Sequence, residues 1–230
     1  MNSFLPRLYS NLPSIPCRLC GAPSQEYALC SACINDLPLL GPSCPRCAMP
    51  TTHGQLCGQC LTQPPEQDLS FSLFRYHDPI NRLIADLKYH DKLYLTQLFS
   101  HLMSKQLIQS PLPHCLIPIP LHPKRLRQRG YNQSLELAKT LSKQLNIPVS
   151  NRYLSRIINT APQASLPFKQ RESNIKHAFK LMSSSVPSHI ALVDDVLTTG
   201  HTANIAAKLL RQKGVKVIEV WTIARTIRHD

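Results

Sequence analysis

Eight cysteines in four C-x-x-C pairs, Cys17/Cys20, Cys30/Cys33, Cys44/Cys47 and Cys57/Cys60, lie within the first 60 residues. Adding 27 to each of the first four positions gives the last four, and the same shift carries Pro23 onto Pro50 and Leu29 onto Leu56. This is an internal repeat, and a repeat constrains the fold before any other signal. Each C-x-x-C brings two sulfurs together on one tight turn. Two such turns complete a tetrahedral shell of four thiolates, the set that Zn²⁺ favours. Gly21, directly after Cys20, suits a turn whose backbone N–H groups point at sulfur. One shell per repeat is expected, Cys17, Cys20, Cys30, Cys33 and then Cys44, Cys47, Cys57, Cys60. An interleaved pairing, or a shell without its metal, stays open at this point. Disulfides need an oxidising compartment, and Met1–Pro16 has prolines and polar residues where an export signal needs an apolar core. A thioredoxin-type redox site has a single C-x-x-C at a helix start, not four. So short a segment has too little apolar surface to fold without metal. A closed Cys₄ shell is structural, so reactive chemistry is sought elsewhere. Cys115, alone in the apolar run Cys115–Ile119, reads as a core residue, and His53 as a loop residue.

Gln63–Gln67 reads as a linker, and residues 1–65 and 66–230 are taken as two domains. Leu69–Tyr76 alternates like a strand. Pro79–Tyr89 places Ile80, Leu83, Ile84 and Leu87 at helical spacing behind an N-terminal proline. Leu93–Ile108 is a second helical stretch. Strand-and-helix patterns then follow: His114–Pro120, a basic loop and a helix over Asn132–Leu145; His189–Val196, a loop and a helix over Thr202–Lys213, capped by Gly214; and a closing strand, Val215–Ile223. Alternation of helices with wholly apolar strands predicts an α/β fold whose parallel sheet is covered on both faces. The longest apolar runs, such as Cys115–Leu121, fall far short of the ~20 residues of a membrane span.

Ala191–Ala203 (ALVDDVLTTGHTA) carries the sharpest chemistry. An apolar strand ends in two acids and is followed by T-T-G-x-T and a helix. Ligands of open α/β sheets bind beyond the carboxyl ends of the strands. Thr198, Thr199, Gly200, His201 and Thr202 would wrap a phosphate with backbone N–H groups at the positive end of the helix. Asp194 and Asp195 then lie about one sugar length away and suit ribose hydroxyls, directly or through Mg²⁺.

This stretch resembles the phosphoribosyl pyrophosphate (PRPP) loop of type I phosphoribosyltransferases. With Leu87-Lys88-Tyr89, Pro118–Pro123, Arg129–Gln133, Thr160–Gln163, Arg171 and Asn174 in the same order, the chain resembles the ComF family over nearly its whole length. His201 stands where relatives often carry a small residue. The resemblance implies a type I phosphoribosyltransferase-like parallel sheet flanked by helices, behind a small N-terminal double zinc-ribbon module. It implies a part in natural transformation, in the cytoplasm, with PRPP or a 5-phosphoribosyl group, Mg²⁺ and single-stranded DNA as ligands and other competence proteins as partners. Lys124, Arg125, Arg127 and Arg129, with Lys88, fall on the pyrophosphate side. Gln163, Arg171 and Asn174 fall in the hood over the acceptor or a DNA strand. Thr198 replaces the acid that 6-oxopurine transferases use in proton transfer, which argues against purine salvage. Two other readings stand: an active phosphoribosyltransferase whose acceptor the sequence does not name, and a zinc-ribbon regulator that senses PRPP.

Charge locates the polyanion. The chain holds 26 Lys+Arg against 13 Asp+Glu, for a net +13. Residues 1–65 contribute three bases and two acids, whereas residues 110–180 contribute twelve bases and two acids. The excess surrounds the pyrophosphate loop and hood, and is larger than one small ligand requires, which fits a nucleic-acid backbone. With a single Trp in the chain, a dedicated base-stacking platform is not expected, and Tyr131 and Phe168 are the candidate exceptions.

Overall fold

The computed structural model describes residues 15–24, 27–159, 178–183 and 185–227. The chain divides into two compact units, Met1–Leu37 and Pro38–Asp230.

In the first unit, β1 (Ile15–Pro16) pairs antiparallel with β2 (Pro23–Ser24), and α1 spans Ser31–Asn35. The turn between the strands closes through Cys17 N–H to Ala22 O (2.7 Å) and Gly21 N–H to Cys17 O (2.8 Å). The second repeat reproduces this inside the other unit. Ser43 bridges Pro50, Cys44 N–H meets Met49 O at 2.7 Å, Ala48 N–H meets Cys44 O at 2.8 Å, and α2 spans Gly58–Thr62. Each helix begins directly after a ligand cysteine, Cys30 or Cys57. The turns differ at one position. Gly21 takes a left-handed φ of +77° in the first, and Ala48 takes φ +55° in the second. That conformation costs an L-residue about 1–2 kcal/mol. Ala48 is fully buried in a core cluster, and its packing there offsets the cost.

The second unit is built on a parallel sheet of β3 (Leu69–Arg75), β4 (Cys115–Pro118), β7 (His189–Leu197) and β8 (Val217–Arg225), in the order β3-β8-β7-β4. β5 (Leu154–Arg156) and β6 (Phe179–Leu181) form a separate antiparallel pair. The helices are α3 (Ile80–Tyr89), α4 (Leu95–Leu107), α5 (Pro123–Arg129), α6 (Gln133–Leu145) and α7 (His201–Arg211). Side chains alternate across the strands, so each strand supplies both faces. One face buries Ile117, Ile190, Leu192, Ile218 and Val220 with Ala203, Ala206, Ala207 and Leu210 of α7. On α3, α4 and α6 the apolar positions recur at helical spacing and are buried, from Ile80, Leu83, Ile84 and Leu87 to Leu137 and Leu141. At the start of β7 and β8, buried Glu219 accepts from His189 Nε2 and Trp221 Nε1, both at 2.7 Å, so the carboxylate is satisfied on both oxygens.

Two local expectations change. The basic segment after β4 is a helix, α5. His122 Nδ1 accepts from Lys124 N–H, Pro123 sits in the first turn, and Gly130 at φ +81° ends it, so a proline start and glycine stop outweigh the charge density that suggested a loop. The Gln63–Gln67 segment is pinned rather than free. Gln67 is buried, its Nε2 donates to Arg46 O, and Glu66 N–H donates to Asn204 Oδ1 at 2.7 Å.

Leu192 is 0% exposed at the centre of β7. L192A is expected to lose about 3 kcal/mol, within the range for buried leucine truncation, read as a lower urea midpoint at unchanged slope.

Candidate functional site

The eight cysteines gather as Cys17, Cys20, Cys30, Cys33 and as Cys44, Cys47, Cys57, Cys60, with the sulfurs of each group within 4.8 Å of one another. Pairing is therefore sequential, one shell per repeat, and both shells are compatible with structural zinc. Cys20 Sγ and Cys30 Sγ are 3.7 Å apart, and Cys47 Sγ and Cys57 Sγ 3.6 Å. A tetrahedron with Zn–S bonds of about 2.3 Å has edges of roughly 3.8 Å. Equivalent thiols also respond alike. Burial raises Cys17, but backbone N–H groups of Cys30, Cys20 and Leu19 outweigh it and bring its pKa down to about 6. Burial likewise raises Cys44, and the N–H groups of Cys57, Cys47 and Arg46 bring it down to about 7. Donors aimed at sulfur stabilise the thiolate, the form that binds metal. Cys115 is buried in β4, as a core residue.

The acids and the T-T-G-x-T segment sit at the carboxyl end of β7. Thr198 and Thr199 are exposed, Gly200 holds φ +76° as the N-cap of α7, and His201 begins the helix, followed by Thr202. His201 N–H reaches Thr199 Oγ1 at 3.4 Å. The φ at Gly200 strains any side chain, although only Leu197 Cδ1, at 3.9 Å, lies near the place of a Cβ. Asp194 Oδ1 accepts from Ser134 Oγ at 2.8 Å and from Asp195 N–H at 2.9 Å. Desolvation raises the Asp194 pKa, opposed by the Ser134 bond and by the charges of Lys88, Arg156 and Arg129. Asp195 is 4% exposed and pairs with Lys88 Nζ through charge, without hydrogen-bond geometry at Oδ2.

Lys88 reaches the acids from the last turn of α3, where Leu87 is buried and its carbonyl accepts from Tyr131 Oη. Desolvation lowers the Lys88 pKa to about 8, with Asp194 raising it and Arg129 lowering it. Arg129 lies over the Tyr89 ring, 5.2 Å from its centroid, and donates to Gln133 Oε1. Lys88 thus meets Asp195 directly, whereas Arg129 acts on Asp194 through its charge. Lys124 and Arg127 are exposed and Arg125 is partly buried, all on α5. Gln163, Arg171, Asn174 and Phe168 lie outside the described residues. Sequence reasoning missed Ser134, Arg156 and Arg225. Ser134 directly follows Arg129–Gln133 and so had an available signal. Arg156 on β5 acts on Asp194 across a long sequence separation, with no motif around it. Arg225 donates to Leu197 O (2.8 Å) and to Thr198 O, at the start of the Thr198–Thr202 loop.

A cleft of about 660 Å³ is lined by residues of α5, the start of α6 and β5, and by neither acid nor residues 198–202. Pro118, Pro120, Leu121 and Leu126 supply apolar walls, and Asn132 and Arg156 supply polar groups.

The full-length protein is expected to hold two zinc ions per chain, with sulfur alone in the first coordination sphere by X-ray absorption. C30S and C57S should each lower the count by one. A stoichiometry of one in the unaltered chain would contradict the two-shell assignment.

Residues 8–61 match the model of the double zinc ribbon domain. Over 210 residues the chain is 37% identical to competence protein F of Haemophilus influenzae, covering 87% of this chain and 91% of that one. It is 32% identical to the DNA utilization protein YhgH of Escherichia coli K12, covering 92% and 97%. Identity to the competence protein ComFC of Streptococcus pneumoniae is 26%, over 88% and 90%. No helix among the described residues is long and apolar enough to cross a membrane. At 32–37% identity over most of both chains, the chain belongs to the family of competence protein F and DNA utilization protein YhgH.

Proposed function

We propose that this protein takes part in the uptake and use of external DNA, in the cytoplasm, binding PRPP or another 5-phosphorylated ribose and engaging single-stranded DNA on the adjoining basic surface. The observation that carries this reading is the convergence of Asp194, Asp195, Lys88 and Arg129 beside the Thr198–Thr202 loop at one strand end. The printed names of the relatives supply the DNA-uptake context.

Each group has a physical task. Residues 198–202 offer backbone N–H groups to the 5′-phosphate at the positive end of α7. Asp194 and Asp195 accept from the ribose hydroxyls. Mg²⁺ carried with PRPP would neutralise part of the pyrophosphate charge, and these two carboxylates are the ones that would meet it. Lys88 and Arg129 complement the pyrophosphate, with Lys124, Arg125 and Arg127 extending the positive surface outward. Arg152 and Arg156, lining the cleft, extend it further along a backbone of phosphates. The cleft favours a second reading, transfer of the phosphoribosyl group to a small acceptor, because its volume is that of a small-molecule site. In that case the bond from C1′ to the pyrophosphate oxygen breaks with that electron pair leaving on pyrophosphate, and the acceptor supplies the new bond.

PRPP should bind in calorimetry, and D194A/D195A should abolish the signal. Transformation frequency in a naturally transformable host carrying the double variant should fall at least tenfold. Unchanged uptake would separate the site from competence. Affinity for single-stranded DNA should drop steeply between low and physiological salt; a flat response would remove DNA from the reading. Pyrophosphate release from PRPP with some member of an acceptor panel would favour the transferase.

Lys88 sets a pH dependence. Its pKa near 8 means that it loses its proton as pH rises through that value, so pyrophosphate affinity should fall by about tenfold per unit above pH 8 until the pKa of the complex is reached. K88R should flatten this profile. The stability sign is opposite. The folded pKa lies below the ordinary lysine value, so the unfolded chain holds the extra proton above pH 8, and Lys88's cost to the fold is relieved there.

A further inference from the structure

Arg225, the last residue of β8, is 7% exposed and gathers backbone carbonyls from separate parts of the second unit. Its Nε donates to Cys47 O at 2.8 Å. One terminal nitrogen donates to Leu197 O at 2.8 Å, to Thr198 O, and to Thr226 O at 3.0 Å. Cys47 belongs to the second thiolate shell, and Leu197 and Thr198 lead into the phosphate loop. One planar guanidinium therefore joins the two. We propose that Arg225 is a positioning residue that straps the phosphate loop to the Cys44/Cys47/Cys57/Cys60 shell, so that this shell sets the loop's readiness to bind its ligand. The inference rests on the phosphate-loop reading above.

The geometry of the peptide unit gives the strap its effect. The C=O and N–H of one trans peptide point in opposite directions. Holding Leu197 O and Thr198 O therefore fixes the directions of Thr198 N–H and Thr199 N–H before a ligand arrives. Preorganised donors bind an anion without a reorganisation cost. A lysine has the charge but not the fork, and cannot hold the same set of carbonyls in one plane.

Two further observations hold the same turn in place against the sheet. Ala48 is 0% exposed and shares the core cluster with Leu197. Arg46 O accepts from Ser70 Oγ at 2.6 Å and from Gln67 Nε2 at 3.3 Å, which docks the Cys44–Ala48 turn on β3. In the first repeat the matching residue, Gly21, is exposed. The two shells share ligands and spacing, but the buried alanine and the carbonyl taken by Arg225 belong to the second.

The test uses the full-length zinc-loaded protein without ligand, followed by backbone 15N relaxation. R225M and R225K should lower the order parameters of Thr198, Thr199 and Gly200 from about 0.85 to below about 0.6, while Ile190–Val193 stay rigid and two zinc ions remain. C57S should lower the same loop order parameters, and C30S should not. PRPP affinity should fall at least tenfold in R225M and R225K. Unchanged loop order parameters in R225M, with β7 intact, would overturn the strap, as would equal effects of C30S and C57S. If R225M also loosens β7, R225K and C57S decide the question by the same amides. Should the unaltered protein bind no PRPP while the loop still loosens, the ligand reading fails and the strap stands. Should PRPP bind and no variant disturb the loop, the strap fails and the ligand reading stands.

Discussion

Backbone N–H groups can face an anion only when the carbonyls of the same peptides have partners elsewhere. At the end of a strand the sheet ladder runs out, and the next carbonyls belong to neither the sheet nor the helix that follows. Here Leu197 O receives Thr226 N–H and Arg225, and Thr198 O receives Arg225. Gly200 then turns the chain through a left-handed conformation into α7. The sheet register supports this arrangement, because Leu197 on β7 stands opposite Arg225 on β8. A shift of one residue would send the guanidinium to the other face. The apolar pairing of β7 with β8, at Ile190↔Ile218 and Leu192↔Val220, is therefore what places a cation beneath the loop.

Electrostatics in the site is a balance between desolvation and pairing. Burying Asp194 raises its pKa, and burying Lys88 lowers its own. Each shift by itself favours the neutral form. The two groups oppose this together, with Ser134, Arg156 and Arg129 helping the carboxylate. Arg129 acts in both directions, since it supports Asp194 and disfavours the charge on Lys88. An incoming polyanion would relieve the repulsion between Lys88 and Arg129. The site thus holds two positive charges close together at a cost to the fold.

What was legible in the sequence follows the range of the signal. Helical spacing in Ile80–Leu87 and the apolar runs before Asp194 and after Lys216 mark elements whose burial depends on their own periodicity. The cysteine shift of 27 marks the two cysteine sets, and in the structure it also carries the start of α1 at Ser31 onto the start of α2 at Gly58. The acids and loop are contiguous, so Ala191–Ala203 locates them. Arg225, Arg156 and Ser134 act through contacts far away in sequence. Arg225 reaches Cys47 across 178 positions, and no local pattern sets it apart from other basic residues. The helical form of α5 was legible in Pro123 and Gly130, but its four bases drew attention to charge instead of to punctuation.

The repeat itself shows how a duplicated module can become part of a site. Its residue after the second cysteine needs a left-handed backbone in both copies, at Gly21 and Ala48. Glycine meets that need without strain. Alanine meets it with strain, and adds a methyl group where the turn is buried. In the second copy the methyl enters the cluster that contains Leu197, Ala203 and Ala206, of which Leu197 and Ala203 flank the Thr198–Thr202 loop. The position that is free to be glycine in one ribbon is filled in the other because the turn there is packed against the sheet. The Cys44–Ala48 turn thus does two things at once: it carries two sulfurs of the second cysteine shell and supplies part of the cluster that buries Leu197.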